Sequence, residues 1–382
     1  MSDVETRALG TRSRATWRYI ADDGVSASFG LAADEVIARG QGTGHSPPTL
    51  RLYTYRSHCA LVGRFQRASA EIDLDECRRR GVEVNRRPTG GGAIVMGDAQ
   101  LGVALMMPAP PGARPYDRTR DLFSRFSAGI TGALRGLGIE AEYRRKNDVE
   151  VGRKKIAGLG ICFDQAGGLL FHASLLVDLD IGFMLSVLRT PFEKISDKEI
   201  ATVTERMTTV RHQLGRPVGI GDVRDRVREA YASALEVEFQ PGGFSPGELE
   251  AISALERERY RTREWLERQP ATPDAMGSAT VKTDGGLLTA QLTLAGDVIK
   301  AIYLTGDFFT DEAVLAGLER ALRWHPASAD LVVKTIEGLS ERDGLRLAHV
   351  PSEAVGRVVA LAADAARHHE QRGLAKGCFV DP

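Results

Sequence analysis

Three consecutive glycines, Gly90, Gly91 and Gly92, place the strongest constraint on how this chain folds. They lie within residues 85–97, where two arginines precede them and an apolar run follows. Residues without a Cβ allow positive φ angles and a close approach of the backbone to a ligand, and their N–H groups can line an anion-binding concavity. We therefore predict a strand, a phosphate-binding loop and a second strand. A tight hairpin with arginines on a solvated edge is the alternative that the pattern leaves open.

The two arginines of this stretch, Arg86 and Arg87, carry planar, permanently charged groups whose geometry suits phosphate. Two common phosphate motifs are excluded here. No Gly-Lys-Ser/Thr follows the glycines at the spacing of a P-loop, and contiguous glycines do not match the dinucleotide fingerprint, in which the glycines are spread across a turn. The stretch therefore indicates an anion site of another kind.

Length and composition limit the classes of protein to consider. A chain of 382 residues predicts two domains, and 43% hydrophobic with 26% charged residues is typical of a soluble globular protein. A formal net charge of −1 gives no basic field for nucleic acid or a membrane surface. No apolar run suits a signal peptide or a membrane span, and the four cysteines lack zinc-binding spacing. We expect a cytoplasmic protein with free thiols and no nucleic-acid or membrane partner.

Composition and periodicity divide the chain into four parts. We predict a mobile tail (residues 1–14), a large domain (15–269), a Pro/Gly/Ala/Thr-rich linker (270–278) and a smaller C-terminal domain (279–382). Within the large domain, apolar residues at spacings of three and four predict an amphipathic helix over residues 116–137. Residues 144–180 have short turns and period-two stretches, which predict antiparallel strands. A charged helix is predicted over residues 249–268.

The predicted strands contain a second group of candidate site residues. Asn147 and Asp148 precede a strand, Lys155 ends a run of three cations, and His172 lies in an apolar run. The residues alone leave two interpretations open for each. Lys155 is a solvated surface charge or a functional cation, Asp148 is a turn residue or a ligand, and His172 is a core histidine or a substrate contact.

Three segments together resemble the lipoate–protein ligase family, which is related to biotin–protein ligases and octanoyltransferases. Residues 86–94 are similar to the family's Arg-Arg-x-Ser/Thr-Gly-Gly-Gly-Ala-Val loop. Residues 146–149 and 155–158 are similar to its Asn-Asp-hydrophobic and Lys-hydrophobic-Ser/Ala-Gly segments, and residues 172–176 to its His-Gly-Thr/Ser-Leu-Leu segment. There are three departures: Ala173 replaces the glycine, Met96-Gly97 precedes Asp98 where the family usually carries a histidine, and the C-terminal tail with Cys378 matches no segment of the family.

The resemblance implies an α+β fold in two domains. The large catalytic domain is expected to have a mixed or antiparallel sheet flanked by helices, as in the biotin and lipoate ligases, and residues 279–382 are expected to form a small α+β accessory domain. The accessory domain of related ligases moves during their cycle, so we expect lid-like motion about residues 270–278.

The resemblance also implies an ATP-dependent reaction. Lipoate or octanoate is activated to an acyl-AMP with ATP and Mg²⁺, and the acyl group passes to a lysine of a lipoyl domain or carrier protein. Lys155 is the expected catalytic residue, because two anionic reactants require fixed positive charge, and Asp148 is the expected Mg²⁺ ligand. The expected nucleotide- and substrate-binding residues are Arg87, Thr89, Gly90, Gly91, Gly92, Ala93, Ile94, Val95, Asn147, Asp148, Lys155, Gly158 and His172. Candidate walls for an apolar acyl tunnel, each with a core role as the alternative, are Leu61, Val103 and Leu105.

Acyl transfer through a cysteine thioester is the main rival function. Related transferases carry their cysteine either after the His-Gly segment or upstream of the Lys segment, but residues 182–190 and 102–154 contain none. Cys162 is close to Lys155 in sequence, and its apolar neighbours favour an inert thiol. A non-catalytic lipoyl-binding homologue is the remaining alternative, because the histidine before Asp98 is missing.

Overall fold

The computed structural model describes residues 14–110, 118–144, 147–189, 203–267 and 277–374. Residues 1–13 of the predicted tail and 270–276 of the predicted linker lie outside these ranges. The strands are β1 (Ala15–Val25), β2 (Thr49–Tyr55), β3 (Cys59–Val62), β4 (Glu83–Arg86), β5 (Ile94–Met96), β6 (Gln100–Pro108), β7 (Glu142–Arg144), β8 (Asp148–Val151), β9 (Lys154–Phe163), β10 (Gly168–Leu176), β11 (Val237–Pro241), β12 (Gly277–Thr283), β13 (Gly286–Ala295) and β14 (Val298–Gly306).

The helices are α1 (Ala27–Thr43), α2 (Ala68–Glu71), α3 (Leu74–Arg80), α4 (Thr119–Gly136), α5 (Ile181–Val187), α6 (Val210–Leu214), α7 (Ile220–Leu235), α8 (Pro246–Leu255), α9 (Arg263–Glu267), α10 (Glu312–Leu322), α11 (Ala329–Asp343) and α12 (Ser352–Leu374). None of the helices in the described residues is long and apolar enough to cross a membrane. Strand β12 begins two residues inside the range predicted for the linker.

A mixed sheet organises the large domain, in the order β11-β1-β2-β6-β10-β9-β8-β7. Strand β1 runs parallel to β2 and β11, and the strands from β2 through β6 to β7 pair antiparallel. This confirms the predicted mixed sheet and the antiparallel strands of residues 144–180. Because side chains alternate across a strand, β6 and β10 contribute to two separate cores.

One core lies between the sheet and helices α4 and α7. In α4, Leu122, Phe126, Ile130 and Leu134 recur every four residues and are at most 4% exposed, so the apolar face that the sequence predicts is the buried face. Burying each such side chain contributes about 1.5–3 kcal/mol. The helix spans Thr119–Gly136 within the predicted residues 116–137, of which 116 and 117 are not described. The other core lies under α1 on the opposite face of the sheet.

The glycine stretch connects two strands of a small second sheet, whose order is β4-β3-β5. Strand β3 pairs parallel with β4 and antiparallel with β5. The predicted strand–loop–strand is therefore present, but the hairpin alternative is wrong, since β4 and β5 flank β3 and do not pair with each other. The loop has to cross the end of β3, which brings its glycines against Gly63.

The charged helix predicted over residues 249–268 is interrupted. Helix α8 gives way to a π-helical turn, Glu256–Tyr260, and then to the short helix α9. Tyr260 and Trp265 are buried here and pack edge to face, with ring centroids 5.7 Å apart. The irregular backbone presents the Trp265 carbonyl to the guanidinium of Arg86 at 3.0 Å, a long-range contact that helical periodicity could not indicate.

The C-terminal domain has the antiparallel sheet β12-β13-β14 and a core shared with α10, α11 and α12, which confirms the predicted small α+β domain. It contacts the large domain beside the glycine stretch. Phe308 stacks on Phe65 with ring centroids 5.3 Å apart, and the Gly306 N–H donates to the Phe65 carbonyl at 3.1 Å.

Candidate active site

The glycine turn offers backbone donors in a conformation that depends on glycine. Gly91 has φ 95°, and a Cβ on Gly63 would lie 2.0 Å from the Gly91 carbonyl oxygen. A Cβ on Gly92 would meet nothing within 4 Å, so this side of the turn is open. The N–H groups of Gly91, Gly92 and Ala93 donate to no residue in the described part of the chain. Adjacent unused donors on such a turn suit an anion.

Arg86 is a structural residue. It is 1% exposed, and its guanidinium donates to the carbonyls of Trp265 and Leu266 at 3.0 and 2.9 Å and to those of Gly63, Arg64 and Gln66 at 2.9, 2.9 and 2.6 Å. The idea that it offers its fork to phosphate, and the alternative of a solvated edge, are both wrong. These hydrogen bonds join two backbone segments, the loop of residues 63–66 and helix α9.

Arg87 is buried as well and holds the glycine turn in shape. It donates to the carbonyls of Leu61, Gly90 and Gly92 at 3.0, 3.1 and 2.6 Å. Burial lowers the pKa of Arg87 to about 10, so the group stays cationic at neutral pH. Its fork faces backbone oxygens, and its charge reaches a ligand at the turn only through space.

Thr89 and His172 link the turn to the large sheet. Thr89 Oγ1 lies 2.6 Å from His172 Nε2. Burial, reinforced by the charge of Arg87, lowers the pKa of His172 to about 3, so the imidazole is neutral at physiological pH. Gly160, opposite His172 on β9, makes room for the ring, because a Cβ there would lie 2.1 Å from Nε2. His172 therefore positions the turn and does not supply a charge.

Asn147 connects the turn with the neighbouring strands. Its Nδ2 donates to the Leu159 carbonyl at 3.0 Å, and its own carbonyl accepts from the Leu159 N–H at 2.7 Å. The same Nδ2 lies 3.6 Å from the position of a Cβ on Gly91. Asp148 follows directly at the start of β8, so the Asn-Asp pair of the sequence reaches from the glycine turn to the site of Lys155.

Lys155 has its amine 2.6 Å from Asp148 Oδ1, with 32% and 30% of the two side chains exposed. This ion pair is close but poorly aligned, because Oδ1 has no hydrogen bond of good geometry. A Cβ on Gly158 would lie 3.2 Å from the amine and 3.3 Å from Ser174 Oγ. Gly158 therefore leaves the space in which the amine lies. Lys155 carries its charge on a flexible side chain that is partly accessible to solvent.

A narrow cavity lies under the turn, with about 20 Å³ of free volume, enough for about one water molecule. Apolar side chains and a polar rim line it: Leu31, Leu61, Ile94, Met96 and Leu170, with Arg87, His172 and Ser174. Leu61 is a wall, as the sequence suggests. Val103 and Leu105 do not line the cavity, because they point to the opposite face of the sheet and pack in the α4 core.

Val95, which the sequence also placed in the nucleotide site, is buried in the core of the small sheet.

The far end of the cavity holds a charged network that sequence reasoning missed. Arg51, which is 0% exposed, donates to Asp34 and to Asp22, both at 2.8 Å. The Tyr53 hydroxyl donates to Asp34 at 3.3 Å, and burial raises the pKa of Asp34. The alternation of Arg51 and Tyr53 along β2 was the one sequence signal for this network. It does not reveal their partners, Asp34 and Asp22, which lie 17 and 29 residues before Arg51 in the chain.

The described thiols are poor nucleophiles. Burial raises the pKa of Cys59 and of Cys162 well above the ordinary range, and that of Cys77 to about 11. Cys162 faces a groove between the domains. The fourth cysteine, Cys378, lies outside the described residues.

A magnesium site made of protein alone does not occur among the described residues, which contain no cluster of three or more His, Cys, Asp or Glu that could hold a metal. Mg²⁺ that binds mainly to phosphate oxygens needs only one or two carboxylates. Asp148, partly exposed and beside Lys155, fits that smaller requirement.

A mixed sheet that carries a lysine, together with a small second sheet that carries a glycine turn, defines a recognisable class of α+β protein, and comparison gives its family. Residues 26–232 match the lipoyl protein ligase A/B catalytic domain. The chain belongs to this family, which comprises lipoate ligases and octanoyltransferases, and is an enzyme of protein lipoylation.

The individual relatives include both octanoyltransferases and lipoate ligases. Octanoyltransferase LipM of Brevibacillus brevis is 30% identical over 271 residues, which span 65% of this chain and 98% of the relative. A structure of a bipartite lipoate protein ligase with its E2 lipoyl domain from Thermoplasma acidophilum has a TM-score of 0.60 and 26% identity, covering 68% of this chain and all of that one. A lipoate-protein ligase A bound with ATP has a TM-score of 0.58 and 25% identity, covering 66% of this chain and 98% of that one.

Proposed function

We propose that this chain is an ATP-dependent lipoate–protein ligase, which activates lipoate or octanoate as an acyl-adenylate and transfers the acyl group to a lysine of a lipoyl domain or carrier protein. The observation that carries the proposal is the position of Lys155. Its side chain is partly exposed and its amine lies beside Asp148; the preceding residue, Asn147, has its Nδ2 atom 3.6 Å from the position of a Cβ on Gly91 in the glycine turn.

The first half-reaction explains why such a site is needed. A carboxylate oxygen of the acyl substrate attacks the α-phosphorus of ATP, the bond to the β-phosphate oxygen breaks, and pyrophosphate leaves. Two anions must approach each other, which costs free energy unless fixed positive charge is present. We assign that charge to Lys155, with the N–H groups of Gly91 to Ala93 holding phosphate oxygens. Asp148 would hold Mg²⁺, whose charge neutralises the phosphates, and would then release Lys155 from its ion pair.

The second half-reaction uses the same site. The acceptor lysine, as a free amine, attacks the carbonyl carbon of the mixed anhydride, the bond to the phosphate oxygen breaks, AMP leaves, and the amine loses a proton to solvent. Lys155 stabilises the leaving phosphate. The acceptor class follows from the Thermoplasma relative, which is described together with its E2 lipoyl domain.

The acyl chain would occupy the narrow cavity between Leu31, Leu61 and Leu170. Since that space holds about one water molecule, the walls have to separate for the chain to enter. The C-terminal domain adds a further constraint on access, because the Phe308 carbonyl lies 2.2 Å from the position of a Cβ on Gly90. Withdrawal of Phe308 would open the turn, in keeping with the predicted lid-like motion.

Octanoyl transfer through a thioester is the second candidate, favoured by the similarity to octanoyltransferase LipM. It requires a thiolate next to the bound acyl group. The described cysteines oppose it, because burial raises the pKa of each one. The ligase is therefore the better-supported candidate.

Two parallel assays test the proposal. We expect lipoate-dependent exchange of pyrophosphate into ATP by the purified protein, and no acyl transfer from an octanoyl carrier protein to a lipoyl domain without ATP. Transfer without ATP and no exchange would establish the thioester function instead. Lipoate binding with neither activity would show a non-catalytic binding protein.

A further inference from the structure

The backbone around Lys155 lies where two central strands separate. Strands β9 and β10 pair from Leu169–Phe163 to the last pair, Leu175–Ala157. On the other side, the pairing of β9 with β8 shifts between Val149 and Glu150, which leaves one extra residue in β9. Lys155 therefore has no partner on β10, although β10 continues beside β6.

A segment from elsewhere in the chain fills this gap. The Lys155 N–H donates to the Arg206 carbonyl at 2.8 Å, and the Lys155 carbonyl accepts from the Thr208 N–H at 2.9 Å. Residues 155 and 207 thus form an isolated parallel bridge. Just beyond it, the Arg211 N–H donates to the Val177 carbonyl at the end of β10, at 3.0 Å. We call residues 206–208 the strut.

The second contact of the strut is made by the Met207 side chain. Met207 packs against the apolar cluster that the small sheet forms with helices α2, α3 and α5; Val95 belongs to this cluster, and Ala93 also packs against it. The strut is anchored at its C-terminal end, where Thr208 is buried and accepts a hydrogen bond from Gln213 at 2.9 Å. One short segment therefore binds the strand of Lys155 through its backbone and packs by its side chain against the cluster that contains the core residues of the small sheet.

We propose that the strut is a positioning element, in which the backbone bridge and Met207 together fix where the backbone of Lys155, and so the start of its flexible side chain, lies relative to the glycine turn. The proposal rests on the ligase function proposed above. Lys155 belongs to the large sheet and the turn to the small one, and a charge that acts in a transition state has to be placed to within a fraction of an ångström. The strut is bonded to the large sheet and packs against the cluster that contains the core residues of the small one.

The backbone bridge is tested with Thr208→Pro, which removes the N–H that Lys155 needs, against Thr208→Ala, which keeps it. Relative to the Ala variant, we expect Thr208→Pro to lower kcat of lipoate-dependent pyrophosphate exchange at least tenfold, with the KM for ATP and for lipoate changed less than twofold. Here kcat is expressed per active site, counted by titration of the acyl-adenylate that the enzyme forms in a single turnover. A merely structural role would lower the melting temperature and the number of active sites but leave kcat per active site unchanged. Equal kcat in the two variants would overturn the proposal.

The side-chain link is tested separately, in case the proline variant does not fold. Met207→Ala should reduce kcat of exchange several-fold, and Met207→Leu, which restores the volume, should recover it. The role of Met207 would be overturned if Met207→Ala lost no activity. It would also be overturned if Met207→Leu failed to recover the activity that Met207→Ala loses.

A measurement independent of catalysis separates this proposal from the proposed function. Competitive acetylation with acetic anhydride, read by tandem mass spectrometry, gives the reactivity of the Lys155 amine relative to that of Lys154. We expect Thr208→Pro to raise this ratio at least threefold over Thr208→Ala, because the amine leaves Asp148. An unchanged ratio contradicts the strut. If the unmodified protein shows no pyrophosphate exchange but Thr208→Pro raises the Lys155 to Lys154 reactivity ratio, only the ligase assignment is contradicted.

Discussion

The cations on the two sides of the site are used in opposite ways. On the glycine turn, Arg86 and Arg87 are 1% and 5% exposed, and their guanidinium groups bind backbone carbonyls. On the large sheet, Lys155 is 32% exposed and has one carboxylate close by, at 2.6 Å. The arginines hold a shape, whereas the lysine keeps a charge that a ligand can reach.

The difference follows from side-chain chemistry. Guanidinium presents several donors in a rigid fork and stays charged when buried, so it can join separate loops through their carbonyls. An ammonium group is a compact point charge on a flexible stem. Such a charge can move from Asp148 to an incoming phosphate without any change in the backbone. Removing an arginine should therefore damage stability, and removing the lysine should damage chemistry.

Arg86→Ala gives the largest effect that we expect. Five backbone carbonyls lose their donor, and unsatisfied buried acceptors cost about 1–3 kcal/mol each before relaxation. We expect the free energy of unfolding to fall by roughly 3–5 kcal/mol, as measured by urea denaturation. Arg78→Ala, at a side chain that is 77% exposed, is the matched control and should change it by less than about 0.5 kcal/mol. Similar losses in both variants would contradict the structural role.

Lys155→Ala should leave the fold intact and remove the chemistry. Loss of one preorganised charge at a reacting centre costs about a hundred- to a thousandfold in kcat. We expect that loss in lipoate-dependent pyrophosphate exchange, with an unchanged melting temperature. Lys154→Ala, the adjacent cation, is the control and should retain exchange. Equal activity of the two variants would show that Lys155 is a solvated surface charge without a catalytic role.

Gly160→Ala tests the link between the two regions. The new Cβ would lie 2.1 Å from His172 Nε2, so the ring must move and its contact with Thr89 is lost. Overpacking of this kind typically costs about 1–3 kcal/mol, which thermal melting can detect, and we expect exchange to fall as well. Gly136→Ala in α4, where a Cβ meets nothing within 4 Å, should instead be neutral or stabilising. A harmless Gly160→Ala would show that His172 does not position the turn.

The pH dependence of stability should carry a signature of His172. Its pKa is lowered to about 3 in the folded state, against about 6.5 when unfolded. Below about pH 6.5 the unfolded state binds one more proton, so stability falls with falling pH by at most about 1.4 kcal/mol per pH unit, until the folded pKa is reached. Urea denaturation at about pH 7 and about pH 5 should show a smaller drop for His172→Gln than for the unmodified protein. Equal drops would place the acid sensitivity elsewhere.

Cys162→Ser should have the smallest effect. Burial raises the pKa of this thiol, so it carries no thiolate at neutral pH and no role in an adenylate mechanism. We expect exchange and ATP-dependent acyl transfer within about twofold of the unmodified protein, because serine replaces the thiol with a group of similar size. Loss of acyl transfer in this variant, without loss of fold, would favour the thioester route.

The overall architecture was accessible from the sequence because it depends on local patterns. The spacing of Leu122, Phe126 and Ile130 predicted α4, and the alternation in residues 144–180 predicted the antiparallel strands. The interrupted helix at Glu256–Tyr260 was missed, because the burial of Tyr260 and Trp265 overrides helical propensity there. Tertiary packing decides such cases, and a single sequence does not record it.

The candidate site was accessible only in part. The resemblance predicted one site from the glycine turn, the Asn-Asp pair and Lys155. In the structure Asn147 lies near Gly91, and Asp148 lies 2.6 Å from the Lys155 amine. The resemblance could not show that Arg86 and Arg87 face backbone carbonyls, or that Val103 and Leu105 lie on the far face of the sheet. The first fact depends on how β4 and β5 flank β3, and the second on how β6 pairs with β2 and β10; both arrangements are set by residues far apart in the chain. The binding roles of the glycine turn, Asn147, Asp148 and Lys155 stay predictions.

The most direct measurement is a crystal structure of the protein soaked with ATP, Mg²⁺ and lipoate. We expect density for a lipoyl-adenylate whose phosphate lies between the Lys155 amine and the N–H groups of Gly91 to Ala93, with the acyl chain in the cavity beside Leu61. An acyl group bound covalently to a cysteine, or a Lys155 amine that still faces only Asp148 while nucleotide binds elsewhere, would contradict the ligase mechanism.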